Sequence, residues 1–305
     1  MQRLNRQKLT KCAETSALAV AIIVGIVGTL LGQSQQDIPQ WELAAGGEMS
    51  FEVASVKLGS FVPPSFPLDA GDSFKQTGGR FVANFPLLQL VMFAYKINPA
   101  PEQRQKMLQG VPSWFSQDRY TIEAQAQGNP TKDQFRLMMQ SLLSERFHLK
   151  VHRETQQVSA FALELASPGK LGPNLHPHGE DPPCDSKTAG GAADLMPCGN
   201  VGARRDAKGG MITGARNVTM PLFADVLSSI SNGEVNRPVI DRTGLNGGFD
   251  ITMPGVGPAL PGAQLDTQAP SFMTVLREQL GLKLTPTSAA VQVLVIDTVE
   301  RPSEN

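Results

Sequence analysis

A chain of 305 residues with 41% hydrophobic content has room for two domains of ordinary size and enough apolar mass to bury real cores, which excludes wholesale disorder. The formal net charge is −1, with both signs scattered and no long basic run, so the clustered lysine and arginine of a nucleic-acid binder are missing. At 6% aromatic residues, there is too little for a stacking platform for single strands or sugars.

Arg3, Arg6, Lys8 and Lys11 precede an apolar run at 17–31. This is the layout of a secretory signal or an uncleaved membrane anchor. The run is long for a signal and short of the roughly 20 residues that span a bilayer. Residues 32–34 are the place for cleavage, and Cys12, ahead of the run, is not the lipid-accepting cysteine of a lipoprotein. Residues 1–34 are therefore expected to direct export and to make the protein's sole membrane contact. In an oxidising compartment Cys184 and Cys198 have each other as partners, so a disulfide is expected. Closing such a loop contributes roughly 3 kcal/mol by chain entropy. A metal site joined by His176 and His178 is the alternative, but its spacing matches no closed zinc template. No metal or cofactor is expected.

Residues 35–49 are polar and aperiodic and read as a tether. The alternation at 51–57 predicts a strand with Phe51, Val53 and Val56 inward. Gly78 and Gly79 predict a tight turn into a strand at 80–83. Pro86 then opens a helix at 87–97, with Asn84 placed to cap it and Leu87, Leu90, Val91 and Ala94 buried. Tyr120 and Ile122 share a face of a strand at 119–124. The stretch 131–165 organises the first half. Thr131 and Gln134 fit a capping box, and Phe135, Met138, Met139, Leu142 and Phe147 form one apolar stripe against Lys132, Arg136, Gln140 and Ser144. Strands at 148–152 and 158–165, joined by a polar turn at 153–157, complete it.

Residues 168–208 are rich in Gly, Pro and Asp and read as a connector. Beyond it the order of elements repeats: Gly209-Gly210 answers Gly78-Gly79, Pro221 answers Pro86, and Phe249 begins a counterpart of the strand at Tyr120. Leu142 through Lys150 aligns without a gap on Val275 through Lys283, where Gly281 is a suitable left-handed cap. The expected fold class is α+β: two tandem duplicated modules, 50–167 and 209–305. Each would be a small mixed or antiparallel sheet with two helices packed on one face.

Several phrases carry a family resemblance: GGRFVANFPLLQLVMFAYKI, GVPSWFSQDRYTIEA, LLSERFHLKVHRE, RPVIDRTGLNGGFDITM and VQVLVIDTVERPSEN. Over 51–305 the chain resembles a large paralogous family of exported proteins, abundant in acidobacteria and other soil bacteria, without an established function. The resemblance implies an exported domain of unknown function, in some relatives attached to membrane-bound sensor-peptidases of the β-lactam-sensor type. The second half is more loosely similar to the short N-terminal domains of secretins and TonB-dependent receptors. No catalytic residue is implied.

The chain has no G-x-S-x-G elbow, H-E-x-x-H, P-loop or G-x-G-x-x-G. In Ser167-Pro168-Gly169-Lys170 the Pro-Gly pair forbids the helical turn that an acylating serine would need. His148 and His152 fall on a predicted strand, where they share a face without converging. The candidate functional surface is 237–250, in which Asp241 and Arg242 stand before a Gly-rich turn. There they either present side chains to a ligand or cap the turn and pair with a nearby carboxylate. Trp114 is either an exposed anchor or a plug over the first core. A non-enzymatic exported module binding an envelope protein or ligand is the expected function. The alternatives are an envelope hydrolase with a site between the modules, or an assembly unit related to secretin N-domains. A pocket with convergent titratable groups would favour an enzyme, and a flat patch or free sheet edge a binding module.

Overall fold

Residues 35–49 are not a featureless tether. They contain a short helix, α1 (Gln40–Ala45), held by one buried carboxylate: Glu42 accepts hydrogen bonds from Gln140 and Arg153. The computed structural model describes residues 38–59, 62–179, 184, 196–205, 210–257 and 270–302. The N-terminal segment 1–34 lies outside the described residues. After α1 come β1 (Val53–Leu58), β2 (Arg80–Pro86), α2 (Leu87–Ala94), α3 (Pro101–Met107), α4 (Trp114–Gln117) and β3 (Arg119–Gln125). Helix α5 (Lys132–Phe147) leads into β4 (Lys150–Leu165), β5 (Leu175–Pro177), β6 (Asn200–Arg205) and β7 (Met211–Val218). The chain ends with α6 (Met220–Ile230), β8 (Val239–Asp241), β9 (Phe249–Pro254), α7 (Phe272–Leu280) and β10 (Leu282–Thr298).

The class is α+β. Sheet order β1-β3-β2 is antiparallel, β5-β9-β7-β6 is antiparallel, and β10-β4-β8 is mixed, with β8 parallel to β4. The first core gathers Phe81, Tyr120 and Ile122 of the first sheet with Leu90 of α2 and Phe135, Met139 and Phe147 of α5. The second gathers Ala215, Phe249 and Ile251 with Phe223 and Leu227 of α6 and Leu276 and Leu280 of α7. Strand, helix, strand, helix, strand occurs in this order as β2-α2-β3-α5-β4 and again as β7-α6-β9-α7-β10, interrupted by α3 and α4 and by β8. Residues 168–208, expected as a connector, supply the edge strands β5 and β6.

Helix α5 follows its local signals. Thr131 Oγ1 accepts from the Gln134 amide at 3.2 Å, and Gln134 Oε1 accepts from the Thr131 amide at 2.9 Å, closing the capping box. The apolar stripe is buried. So are Lys132 and Arg136, expected on the polar face and each only 1% exposed, because the distant loop at 68–72 folds over them and supplies carboxylates. Two local readings also differ. Asn84 lies buried in β2 with its amide on Thr121 instead of capping α2, whose cap position is Pro86. Val53 points outward at 70% exposure, while Val56 is buried.

The expected hairpin of 148–152 with 158–165 does not form. Residues 150–165 are one continuous strand, β4, whose partner is β10: Lys150 faces Thr298 and Leu165 faces Leu282, with one irregularity between Ile296 and Thr298. The polar stretch that reads as a turn is the solvent-facing middle of this ladder, where Glu154, Thr155, Gln157 and Ser159 are exposed. Pro286 is tolerated because β10 is an edge strand. His148 is not in a strand: it caps α5 with a left-handed φ of 47°, where α7 has Gly281 at 68°. His152 bridges Glu154 and Asp297, whose hydrogen bonds, that of Glu154 foremost, raise its pKa.

Leu142→Ala, deleting a 4%-exposed side chain from the first core, is expected to cost about 2–5 kcal/mol in denaturant unfolding; a loss below about 0.5 would show that the helix phase is wrong. His148→Gly relieves a left-handed non-glycine residue and is expected to stabilise by about 0.5–1 kcal/mol after glycine's entropy cost. The exposed His148–Glu300 pair that it deletes contributes little to this balance.

Candidate functional site: the groove between α2 and α6

Helix α2, LLQLVMFA, is apolar nearly all round. A helix of that kind must cover its second face as well as its first. Leu87, Leu90, Val91 and Ala94 enter the first core, which leaves Leu88 and Met92 on the other side. Helix α6 buries Phe223, Ala224 and Leu227 in the second core and turns Ser229 and Ile230 toward the same space. Between the two lies a groove with two lobes that meet at Lys96, Ile97 and Asn98, the turn after α2. The larger lobe holds about 460 Å³ and the smaller about 220 Å³. Asn98 ties the helices together, its side-chain amide donating to the Asp225 carbonyl at 2.8 Å.

One end of the larger lobe is basic, with Lys96, Arg104 and Arg136 in its wall beside Asp69. Arg136 is held by Asp72 and Asp133 and donates to the carbonyls of Ala70 and Gly71, with its guanidinium over Phe93 at 5.6 Å. Lys96 reaches Asp72 at 2.8 Å and Asp133 at 3.0 Å, and Lys132 reaches Asp69 at 2.8 Å. Burial works to raise the Asp72 pKa, but hydrogen bonds from Lys96 and Arg136 outweigh it and hold it below the ordinary carboxylate value. Burial lowers the pKa of Lys132, with Asp69 opposing. The Nε–H groups of Arg104 and Arg136 are buried and have no acceptor among the described residues.

Asp225 lines the smaller lobe. Crowding by neighbouring atoms pushes its pKa up to about 6, although its side chain is exposed by surface area. The upward direction follows from desolvation where the carboxylate lines the lobe, and its exposure to solvent weakens the shift. Among the described residues neither lobe is lined by a histidine or cysteine.

The residues singled out in the sequence are not brought together. Asp241 closes its own turn, accepting from the Thr243 amide at 2.9 Å and hydroxyl at 2.8 Å. Arg242 is exposed at the end of β8, and its amide donates to the Leu163 carbonyl at 2.9 Å. Pro238, Val239 and Ile240, just before this pair, line the smaller lobe. Trp114 packs against Phe115 and Tyr120 over the first core, with Arg301 stacked on its outer face at 5.3 Å. Cys184 and Cys198 form a disulfide, so their sulfurs are joined to each other. Ser167 and Lys170 close a turn through Gly169. The groove residues Leu88, Met92, Lys96 and Asp225 had one signal in the sequence, the apolar outer face of α2.

A family model described as a protein of unknown function (DUF3738) matches residues 88–299, from the first turn of α2 to the residue after β10. No curated protein and no solved structure matches the chain.

The raised Asp225 pKa has a definite sign. Between the ordinary carboxylate value of 3.8 and about 6 the folded state holds the proton more tightly than the unfolded chain, so stability falls as pH rises through that window. Asp225→Asn is expected to flatten this slope in melting curves taken from pH 4 to pH 7. Parallel curves for the two proteins would refute the assignment.

Proposed function

Since the chain belongs to that family of unknown function, we propose from its geometry that it is an exported binding protein of the cell envelope, taking a small, largely apolar ligand with one anionic or carbonyl group into the α2–α6 groove. The carrying observation is the larger lobe: apolar walls from Leu88, Met92, Val226 and Ile230, with the cationic side chains of Lys96, Arg104 and Arg136 at one end. Such sites are concave, mostly apolar and fixed by few polar groups. No reaction is assigned to the groove. Export is supported by the basic and apolar pattern of residues 1–34, and a disulfide fits an oxidising compartment. We read the two strand–helix–strand–helix–strand runs as copies of one ancestral half, falling within 50–167 and 209–305. On this reading the groove lies between corresponding helices. Arg242, exposed beyond the groove-lining residues of β8, is our candidate for contacting whatever projects from the groove.

The test uses 1-anilinonaphthalene-8-sulfonate, an apolar probe with one anionic group, titrated into the full-length protein and followed by fluorescence. Saturable binding at one site is expected. Met92→Trp, which fills the lobe, should weaken it at least tenfold, and Val53→Trp on exposed β1 should not. Wild-type binding by Met92→Trp would place the probe elsewhere and remove the support for the groove.

A further inference from the structure

A second constellation lies at the edge of the β5-β9-β7-β6 sheet, and its Cys198 stands two residues before Asn200, which lines the larger lobe. His178 follows β5, and its amide donates to the Gly248 carbonyl at 2.9 Å, continuing that strand's pairing with β9. Its ring Nδ1 contacts Asp250 Oδ1 at 2.7 Å, and its Nε2 lies 3.5 Å from Cys184 Sγ. The same Asp250 oxygen accepts from the Asn217 amide at 2.9 Å, where Asn217 takes a left-handed φ of 52°. Cys198 is anchored separately: Gly199 donates to the Arg216 carbonyl at 2.7 Å, and Arg216 donates to Pro197 at 2.9 Å. His178 is 15% exposed, and both cysteines are half-buried.

We infer that Cys184–Cys198 is an exchangeable disulfide, with Cys184 as the leaving and resting thiolate, His178 as its proton partner and Asp250 as the group that orients His178. A carboxylate on Nδ1 fixes that nitrogen as the donor and turns Nε2 toward the sulfur. Protonated at Nε2, the imidazolium stabilises a thiolate forming 3.5 Å away, and a better-stabilised thiolate is the better leaving group. The co-reactant is a dithiol. One of its thiolates attacks Cys198 Sγ and forms a mixed disulfide; the Cys184–Cys198 bond breaks, and its electron pair goes to Cys184 Sγ beside the imidazolium. The dithiol's second thiolate then attacks its own first sulfur, closes the reagent's disulfide and expels Cys198 as thiolate. Two electrons and the two protons of the dithiol pass to the protein, and in the reverse sequence the protein's two thiols reduce the reagent's disulfide while the Cys184–Cys198 bond re-forms. Among the described residues, the other charged or titratable side chains on the strands of this sheet are His176, opposite Asp250 in register, Arg216, bridged to Cys198, and Arg204 and Arg205 of β6.

The test is reduction of the folded full-length protein by dithiothreitol at pH 7, with acid trapping and peptide mass analysis. The expected results are reduction without loss of the far-UV circular dichroism signal, a mixed disulfide trapped on Cys198, and at least a tenfold slower rate for His178→Ala. In the reduced protein Cys184 should alkylate with a lower pH midpoint than Cys198, and His178→Ala should abolish that difference. Should His178→Ala fail to fold, His178→Gln, which keeps a polar side chain but carries no titrating proton, serves instead. Reduction only upon unfolding, a mixed disulfide on Cys184, or wild-type rates in the histidine variant would each overturn the inference. Because groove binding is read separately with the fluorescent probe, failure of either idea leaves the other standing.

Discussion

The pairing of β4 with β10 is the constraint on which the rest of the molecule depends. Each strand begins in one core and ends in the other. Leu149 and Val151, at the start of β4, lie with Leu294 and Ile296, near the end of β10, in the first core. Leu163 and Leu165 meet Leu282 and Leu284 in the second. The middle of the ladder is washed by solvent, and backbone hydrogen bonds there contribute little net free energy. The two buried ends hold it, so neither core is complete without a strand from the other half of the chain. Gln157 faces Ala290, the residue it falls on when Leu142 is aligned on Val275.

The wall of the α2–α6 groove rests on a buried charge network that is expensive by itself. Removing Lys132 and Arg136 from water carries a desolvation penalty of several kcal/mol per ion, which attraction offsets only with good geometry and further hydrogen bonds. Here Asp69, Asp72 and Asp133 supply the charge and the Ala70 and Gly71 carbonyls the remaining acceptors. Such a network specifies an arrangement more than it stabilises one. It fixes the loop at 68–72 on α5, and Leu68, Asp69 and Ala70 of that loop line the larger lobe. The one guanidinium N–H it leaves unmatched belongs to a residue of that wall.

What was legible in the sequence was local. The capping box of α5, the left-handed Gly281, the apolar stripe and the succession of strands and helices rest on signals within a few residues of each other, and the structure contains them. What was not legible depended on distant partners. The polar residues 153–157 read as a turn because only β10, more than a hundred residues away, makes them a ladder. Lys132 and Arg136 read as a solvated face because Asp69 and Asp72, whose loop covers them, come from 60 or more positions earlier, and the neighbouring Asp133 does not by itself signal burial. Strands β5 and β6 are short and lie in Gly- and Pro-rich chain, where periodicity has no length to show itself. Of the groove, only the doubly apolar α2 was visible. Of the disulfide site, the cysteine pair and His178 were visible, but not Asp250, which reads as one polar position in a strand.

A single cross-link in a protein of this size is not needed to make a core possible, as it is in small secreted domains. Both cores here are built from sheets and helices that the disulfide does not join. The backbone bonds that seat its surroundings, His178 on Gly248 and Gly199 on Arg216, belong to the sheet and do not require the sulfurs to be joined. By chain entropy a loop of this length adds roughly 3 kcal/mol, which any pair of cysteines at this spacing would supply without a histidine beside one sulfur or a carboxylate behind the histidine. The loop-closing role therefore accounts for the cysteines and leaves the Asp250–His178 pair over, whereas a disulfide meant to open and close uses all four residues and leaves the fold standing while it does so.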